Sequence, residues 1–184
     1  MNIGAKTEKL VMTALLTCMI IVTTMFFKIP IPFANGYVHL GDAMVFLTVL
    51  ILGTRSGAIA AAAGSALGDV FGGFAIWAPW TFVIKGVMAL LMGFFISVFM
   101  KRGAEKKPAN VHLIQATGMF IAGAWMAFGY FIAEGIIYNW MMALIGVPWN
   151  IGQFVVGMAI ATAVAASLYK TPAAKYFTYH IGTN

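Results

Sequence analysis

The chain has 184 residues, of which 62% are apolar and only 9% charged, and its mean hydropathy is +0.93. A water-soluble domain carries about a quarter charged residues, so too little polar surface is present to cover a soluble globule. The net charge of +6 sits mostly at the ends of apolar segments, which fits the positive-inside bias of membrane proteins better than nucleic-acid binding.

In chain order, Lys6 and Lys9 precede a first apolar span over residues 10–27. No small-x-small cleavage signal follows that span, so it reads as a retained helix rather than a signal peptide. Pro30 and Pro32 forbid helix, and Asn35-Gly36 adds a turn signal. Asp42 reads as an N-cap or first-turn residue for a short span over 43–52, where a carboxylate suits the positive helix end. Gly53-Thr54-Arg55 reads as a tight turn, followed by a small-residue span over 56–72 and a loop over 74–80 containing Pro79. The fourth span is expected over 81–100, then a hydrophilic linker over 101–110. The fifth is expected over 111–138, then a loop over 139–150 with Pro148, and the sixth over 151–169, before a short, mildly polar tail. The expectation is one all-α membrane domain, a compact bundle of six transmembrane helices covering 1–184. No internal sequence repeat supports an inverted-repeat carrier, and the lone Cys18 excludes an intrachain disulfide.

Orientation follows from the basic residues. Lys6, Lys9, Arg55, Lys101, Arg102, Lys106, Lys107, Lys170 and Lys175 fall on one side, and only Lys28 on the other, with Lys85 inside a span. Nine against one places both termini and the 101–110 linker in the cytoplasm.

With that threading, Asp42, Asp69, Lys85 and Glu134 all fall toward the outer face, together with Asn150 and Gln153. A charge in hydrocarbon costs at least ~2.5–3.5 kcal/mol, so intramembrane charges mark functional sites by default. Trp77, Trp80, Tyr130, Tyr138, Trp140 and Trp149 lie at the same depth. Aromatic walls with a few polar groups suit an amphipathic aromatic ligand. Two structural readings stand beside this one: the tryptophans as an interfacial aromatic belt, and Asp69 with Lys85 as an ion pair between adjacent helices. Two small-residue stripes, Gly64, Gly68, Gly72 and Gly157, Ala161, Ala165, permit close helix packing, either within the bundle or against a membrane partner.

No GxxxxGK[ST] phosphate loop occurs, and His39, His112 and His180 are scattered without a cysteine cluster, so neither ATP binding by that device nor a metal centre is expected. Neither Ser56 nor Ser65 has a base partner in view, and catalysis is not expected. No cofactor is expected.

The motifs Tyr37-Val-His-Leu-Gly-Asp42, the glycine- and alanine-rich stretch 57–69, and Pro79-Trp-Thr-Phe-Val-Ile-Lys85-Gly86 together resemble the substrate-binding S component of energy-coupling factor (ECF) vitamin transporters. The resemblance is strongest to the riboflavin-type branch, including its pyridoxine and hydroxymethylpyrimidine subunits. It implies a six-helix subunit of a prokaryotic plasma membrane that captures a vitamin from outside. A transmembrane coupling subunit and two cytoplasmic ATPases would supply energy, with the S component toppling in the membrane. Family members often carry an AxxxA pattern on the first helix, facing the coupling subunit; here Ala14-Leu-Leu-Thr-Cys18 is the match, with cysteine in place of the second alanine. The expected ligand-binding set is Asn35, Asp69, Trp77, Lys85, Tyr130, Glu134, Asn150 and Gln153, and the expected partner-docking pair is Ala14 and Cys18. One lysine among several acids disfavours a phosphate ester. Pyridoxine or hydroxymethylpyrimidine is favoured, with a riboflavin-type subunit or a self-sufficient carrier as alternatives.

Overall fold

The computed structural model of the chain describes residues 3–30, 37–102 and 108–179. Among these are six α-helices: α1 Ile3–Phe26, α2 Gly41–Leu52, α3 Thr54–Phe71, α4 Ala78–Arg102, α5 Pro108–Ile137 and α6 Trp140–Leu168. A short antiparallel ribbon, β1 Lys28–Pro30 with β2 Tyr37–His39, joins α1 to α2. It is a minor departure from an all-helical reading, formed where Pro30 rules out helix. Four helical segments, Lys6–Phe26, Ala75–Met100, Asn110–Ile137 and Trp140–Leu168, are long and apolar enough to cross a membrane.

The 12-residue α2 is different. At ~1.5 Å per residue it is about 18 Å long, well short of a bilayer core. Its sequence is apolar around its whole circumference, and such a helix must be wrapped by others. Helices α1, α3, α4 and α6 all pack on it, and neighbouring contacts run α1–α3, α3–α4, α4–α5 and α5–α6 around the outside. The small-residue stripes make this wrapping possible. A Cβ on Gly68 would lie 2.7 Å from Cβ of Thr24 in α1, and one on Gly157 would lie 2.9 Å from Cβ of Asp42 in α2. Gly157, Ala161 and Ala165 are all buried. Both stripes are therefore packing surfaces inside the bundle, as the structural reading of them held. Gly53, with φ 78, makes the turn from α2 into α3, a conformation that disfavours any side chain.

Three expectations from the sequence need correction: the first is the loop over 74–80, where a 3-10 turn covers Ala75–Trp77 and α4 starts at Ala78 with Pro79 in its first turn. The stretch 139–150 is not a loop: α6 begins at Trp140 and runs through Pro148. Asn139 caps it, its side chain accepting from the Met142 amide at 3.0 Å. Pro148 removes one internal hydrogen bond, a loss that membrane helices tolerate. The tail also does more than trail from α6. Phe177 and Tyr179 are buried, the Thr178 and Tyr179 amides donate to the carbonyls of Ile51 and Leu50, and the Tyr179 hydroxyl donates to the Gly93 carbonyl at 3.0 Å. Carbonyls left open at the end of α2 are thereby satisfied. Between this plug and the start of α2 the interior is predominantly apolar, with Phe46, Val49, Leu50, Met88, Met92 and Ile96 fully enclosed beside Thr48 of α2.

Candidate functional site

The polar groups gather at the other end of the short α2, where α2 and α4 begin and α5 ends, beside the middle of α6. Asp42 lies in the first turn of α2, where the helix end favours negative charge. It is not the N-cap, a position held by Leu40 without a side-chain bond. Its carboxylate instead accepts from Lys85 Nζ of α4, and both side chains are 0% exposed. The alternative reading of Asp69 with Lys85 as an ion pair is thus corrected: Lys85 pairs with Asp42. Packing explains the exchange, because α2 sits inside the bundle and presents its first turn to α4. A buried pair persists only when its remaining valences are satisfied. Gln153 of α6 does this, its Nε2 donating to Asp42 Oδ2 at 3.0 Å. Gln153 Oε1 accepts the His39 amide at 2.9 Å, and His39 Nδ1 accepts the Gly41 amide at 3.0 Å.

Burial, and secondarily the Lys85 charge, push the His39 imidazole down to about 3, against an opposing pull from Asp42. The folded protein therefore holds His39 neutral, with Nδ1 accepting the Gly41 amide. In the unfolded chain the group protonates below its ordinary value of 6.5. Stability is complete above pH 6.5 and falls as pH drops from there toward 3, by up to about 1.4 kcal/mol per pH unit from this residue. His39→Asn keeps an acceptor near the Nδ1 position without titrating. Unfolding midpoints measured from pH 7.5 to 4.5 are expected to fall less steeply in this variant; equal slopes would show that His39 is not the acid-sensitive group.

Beside the ion pair stands an aromatic cluster. Trp77 is only 6% exposed, too enclosed for an interfacial belt residue, and its ring lies 6.0 Å from Tyr130 and 5.8 Å from Tyr138. The Tyr130 hydroxyl is 3.1 Å from Thr81 Oγ1, and Lys85 Nζ lies 5.4 Å from the Tyr130 ring centre. Tyr130, Glu134 and Tyr138 recur every fourth residue, so they share one face. Trp77 packs on both tyrosines of that face. The Glu134 carboxylate reaches α6, where Asn150 Nδ2 donates to Oε1 at 3.3 Å and its Oε2 occupies the space that a side chain at Gly146 would fill. Asn150, expected to open the sixth span, is an interior residue of α6 instead.

The remaining candidates separate from this group. Asp69 acts electrostatically on Lys28, whose Nζ donates to the Gly72 carbonyl at 3.1 Å and lies 4.6 Å from the Phe74 ring centre. Trp149 lines a mainly apolar groove of about 450 Å³ with Phe27, Leu40 and Pro148, to which His39 and Gln153 are the polar contributors. Trp140, 54% exposed, packs on Phe131 at 5.6 Å and fits the belt reading. Asn35 lies outside the described residues. Ala14 and Cys18 are exposed on α1. Four members of the cluster were not in the expected binding set: Asp42, His39, Thr81 and Tyr138. Tyr138 had a signal in its four-residue spacing from Glu134; the role of the His39 backbone had none.

The family model for the S component of ECF-type riboflavin transporters matches residues 4–170. The chain belongs to this family. Among curated proteins, it is 36% identical over 118 residues to an uncharacterized protein of Pyrococcus woesei, covering 64% of this chain and 72% of that one. It is 27% identical over 165 residues to the thiamine precursor transporter HmpT of Lactococcus lactis subsp. cremoris (strain MG1363), covering 89% of each. Among solved structures, the S component for biotin from an ECF-type ABC transporter superposes with TM-score 0.55 at 16% identity, covering 90% of this chain and 95% of that one. That likeness concerns the fold. This S component is a multi-pass protein of the cell membrane and the substrate-binding subunit of a vitamin transporter, in a family of transporter subunits rather than enzymes.

Proposed function

We propose that this S component captures a small aromatic vitamin precursor of the hydroxymethylpyrimidine type from outside the cell, in the space bounded by Trp77, Tyr130, Glu134 and Asn150. The carrying observation is the Tyr130–Glu134–Tyr138 face beneath Trp77, with Glu134 held by the Asn150 amide. Aromatic rings supply area for a flat ligand, and a carboxylate supplies acceptors for ring-substituent N–H or O–H groups. The Lys85 charge is engaged by Asp42, which speaks against an anionic ligand such as a phosphate ester, leaving Lys85 a role over the Tyr130 ring. The 27% identity to a thiamine precursor transporter points the same way, ahead of pyridoxine. A riboflavin-type substrate is the second reading, favoured by the family match.

We infer six passes, two of them through the shorter α2 and α3, with both termini and the 101–110 linker cytoplasmic; nine of ten loop and tail positives support that orientation. Cysteines introduced into that linker then label only after permeabilisation; labelling in intact cells would reverse the orientation and the direction of capture. The predominantly apolar core around Phe46, Met88 and Met92 and the Tyr179 plug favour a capture subunit over a self-sufficient carrier. Energy would come from a transmembrane coupling subunit and two ATPases, the chain having no nucleotide motif of its own.

Calorimetric titration of the purified protein with hydroxymethylpyrimidine, pyridoxine and riboflavin tests the substrate. The pyrimidine is expected to bind tightest, and Glu134→Gln to weaken it roughly ten- to a hundred-fold, the worth of a buried charged hydrogen bond of about 1–3 kcal/mol. Unchanged affinity in Glu134→Gln would remove Glu134 from the site, and tightest binding of riboflavin would establish the second reading.

A further inference from the structure

The amide of Gln153 stands between two features that the proposed function does not itself connect. On one side is the Asp42–Lys85 pair, and on the other the backbone of strand β2. The assignment of its two ends is forced: His39 N–H can only donate, so Oε1 faces it at 2.9 Å, and Nε2 is left to donate to Asp42 Oδ2 at 3.0 Å. Gln153 is 7% exposed, and one turn later Gly157 lets the α6 backbone come close to Asp42. An amide is the side chain that fits here. It carries an acceptor and a donor in one rigid plane, whereas a carboxylate could serve His39 but would confront Asp42 as a like charge, and an apolar group would strand both partners.

We propose that Gln153 is a positioning residue that couples strand β2 to the Asp42–Lys85 pair, so that the ribbon beside the site and the charges within it are set as one unit. This rests on the reading that ligand is held at the end of the bundle where α2 begins. Gln153, expected from the sequence to touch ligand, then acts on it through Asp42, Lys85 and the ribbon. The connection runs through three elements distant in sequence, β2, α2 and α6, and reaches a fourth, α4, through Lys85.

The test uses the full chain in lipid nanodiscs, with Gln153→Met and Gln153→Glu. In ligand-free protein, the His39 amide is expected to exchange its hydrogen at least about ten times faster in Gln153→Met, which has no acceptor, than in the parent or in Gln153→Glu. The second readout is the affinity for hydroxymethylpyrimidine of Gln153→Glu relative to the parent at the same pH, which cancels titration of the ligand and of Glu134. A protonated carboxyl can donate to Asp42 as the amide does, and an ionised one cannot. The ratio is therefore expected to approach one at pH 5 and to fall at least about tenfold by pH 8. The charged and titratable groups facing this position are Asp42 on α2, Lys85 on α4 and His39 on β2, with Lys28 on β1 acting on His39 and Glu134 on α5 reaching the same stretch of α6 through Asn150; a residue that only fills space there would produce no such pH signature. Unchanged His39 exchange in Gln153→Met, or a pH-independent affinity ratio in Gln153→Glu, overturns the proposal. If the parent binds no pyrimidine while the exchange result holds, the coupling stands and the ligand reading falls. Should Gln153→Met fail to fold, the exchange and pH profile of Gln153→Glu decide the matter.

Discussion

Lys85→Met is expected to destabilise the protein by about 3–5 kcal/mol, because it leaves the Asp42 carboxyl group enclosed with no compensating charge. Both side chains are 0% exposed, so neither water nor a lipid headgroup can take over the lost partner. Asp42→Asn is expected to cost a similar amount by stranding the ammonium. The informative variant is the double replacement, which removes both charges while keeping the Gln153 amide near a neutral partner. It is expected to recover most of the loss, since the coupling energy of two groups in direct contact is absent once both are gone. Thermal unfolding in detergent, followed by tryptophan fluorescence, measures the cycle. Single replacements that each cost under about 1 kcal/mol and add in the double variant would mean that the pair is solvated in the native state.

Ala14→Trp is expected to abolish vitamin uptake in cells by preventing assembly with a coupling subunit, while the purified chain keeps its ligand affinity within a factor of about three. Helix α1 packs on α3 through Thr17, Ile20 and Thr24. Its other face, with Leu10, Ala14, Leu15, Cys18 and Met19, is exposed. An exposed small-residue position admits close approach of a partner helix, and a tryptophan there fills that space without disturbing the bundle. Co-purification of tagged coupling subunit with the variant, alongside titration of the isolated chain, separates the two properties. Normal co-purification with lost ligand binding would show that α1 supports the pocket rather than the partner.

Much of the helical framework is legible in the residues. Gly53 predicts the break between α2 and α3, and the apolar runs predict α4 and α5 within about three residues and the end of α1 within one, although α1 begins seven residues earlier, at Ile3. Where the reading failed, a local rule was outweighed. Pro148 argues for a loop in water, but the Asn139 cap and the apolar surroundings carry α6 through it. Phe177 and Tyr179 look like part of a loose tail because nothing nearby in sequence reveals the open carbonyls of α2 that they serve.

The candidate site divides in the same way. Composition, the scarcity of charge and the depth of each polar residue along its own span are properties of the linear chain, and they identify a membrane protein with Lys85 and Glu134 as its unusual residues. Side-chain spacing along α5 places Tyr130, Glu134 and Tyr138 on one face for the same reason. Which charges meet is decided otherwise. Asp42 and Lys85 are 43 residues apart and Asp42 and Gln153 are 111 apart, so their pairing depends on α2 being short, apolar on every side and wrapped by the longer helices. That enclosure brings the first turn of α2 against α4 and α6, leaves Asp69 to act on Lys28, and makes Gln153 a link rather than an isolated polar residue, because hydrogen-bond partners across a bundle follow from how helices pack and not from periodicity within any one of them.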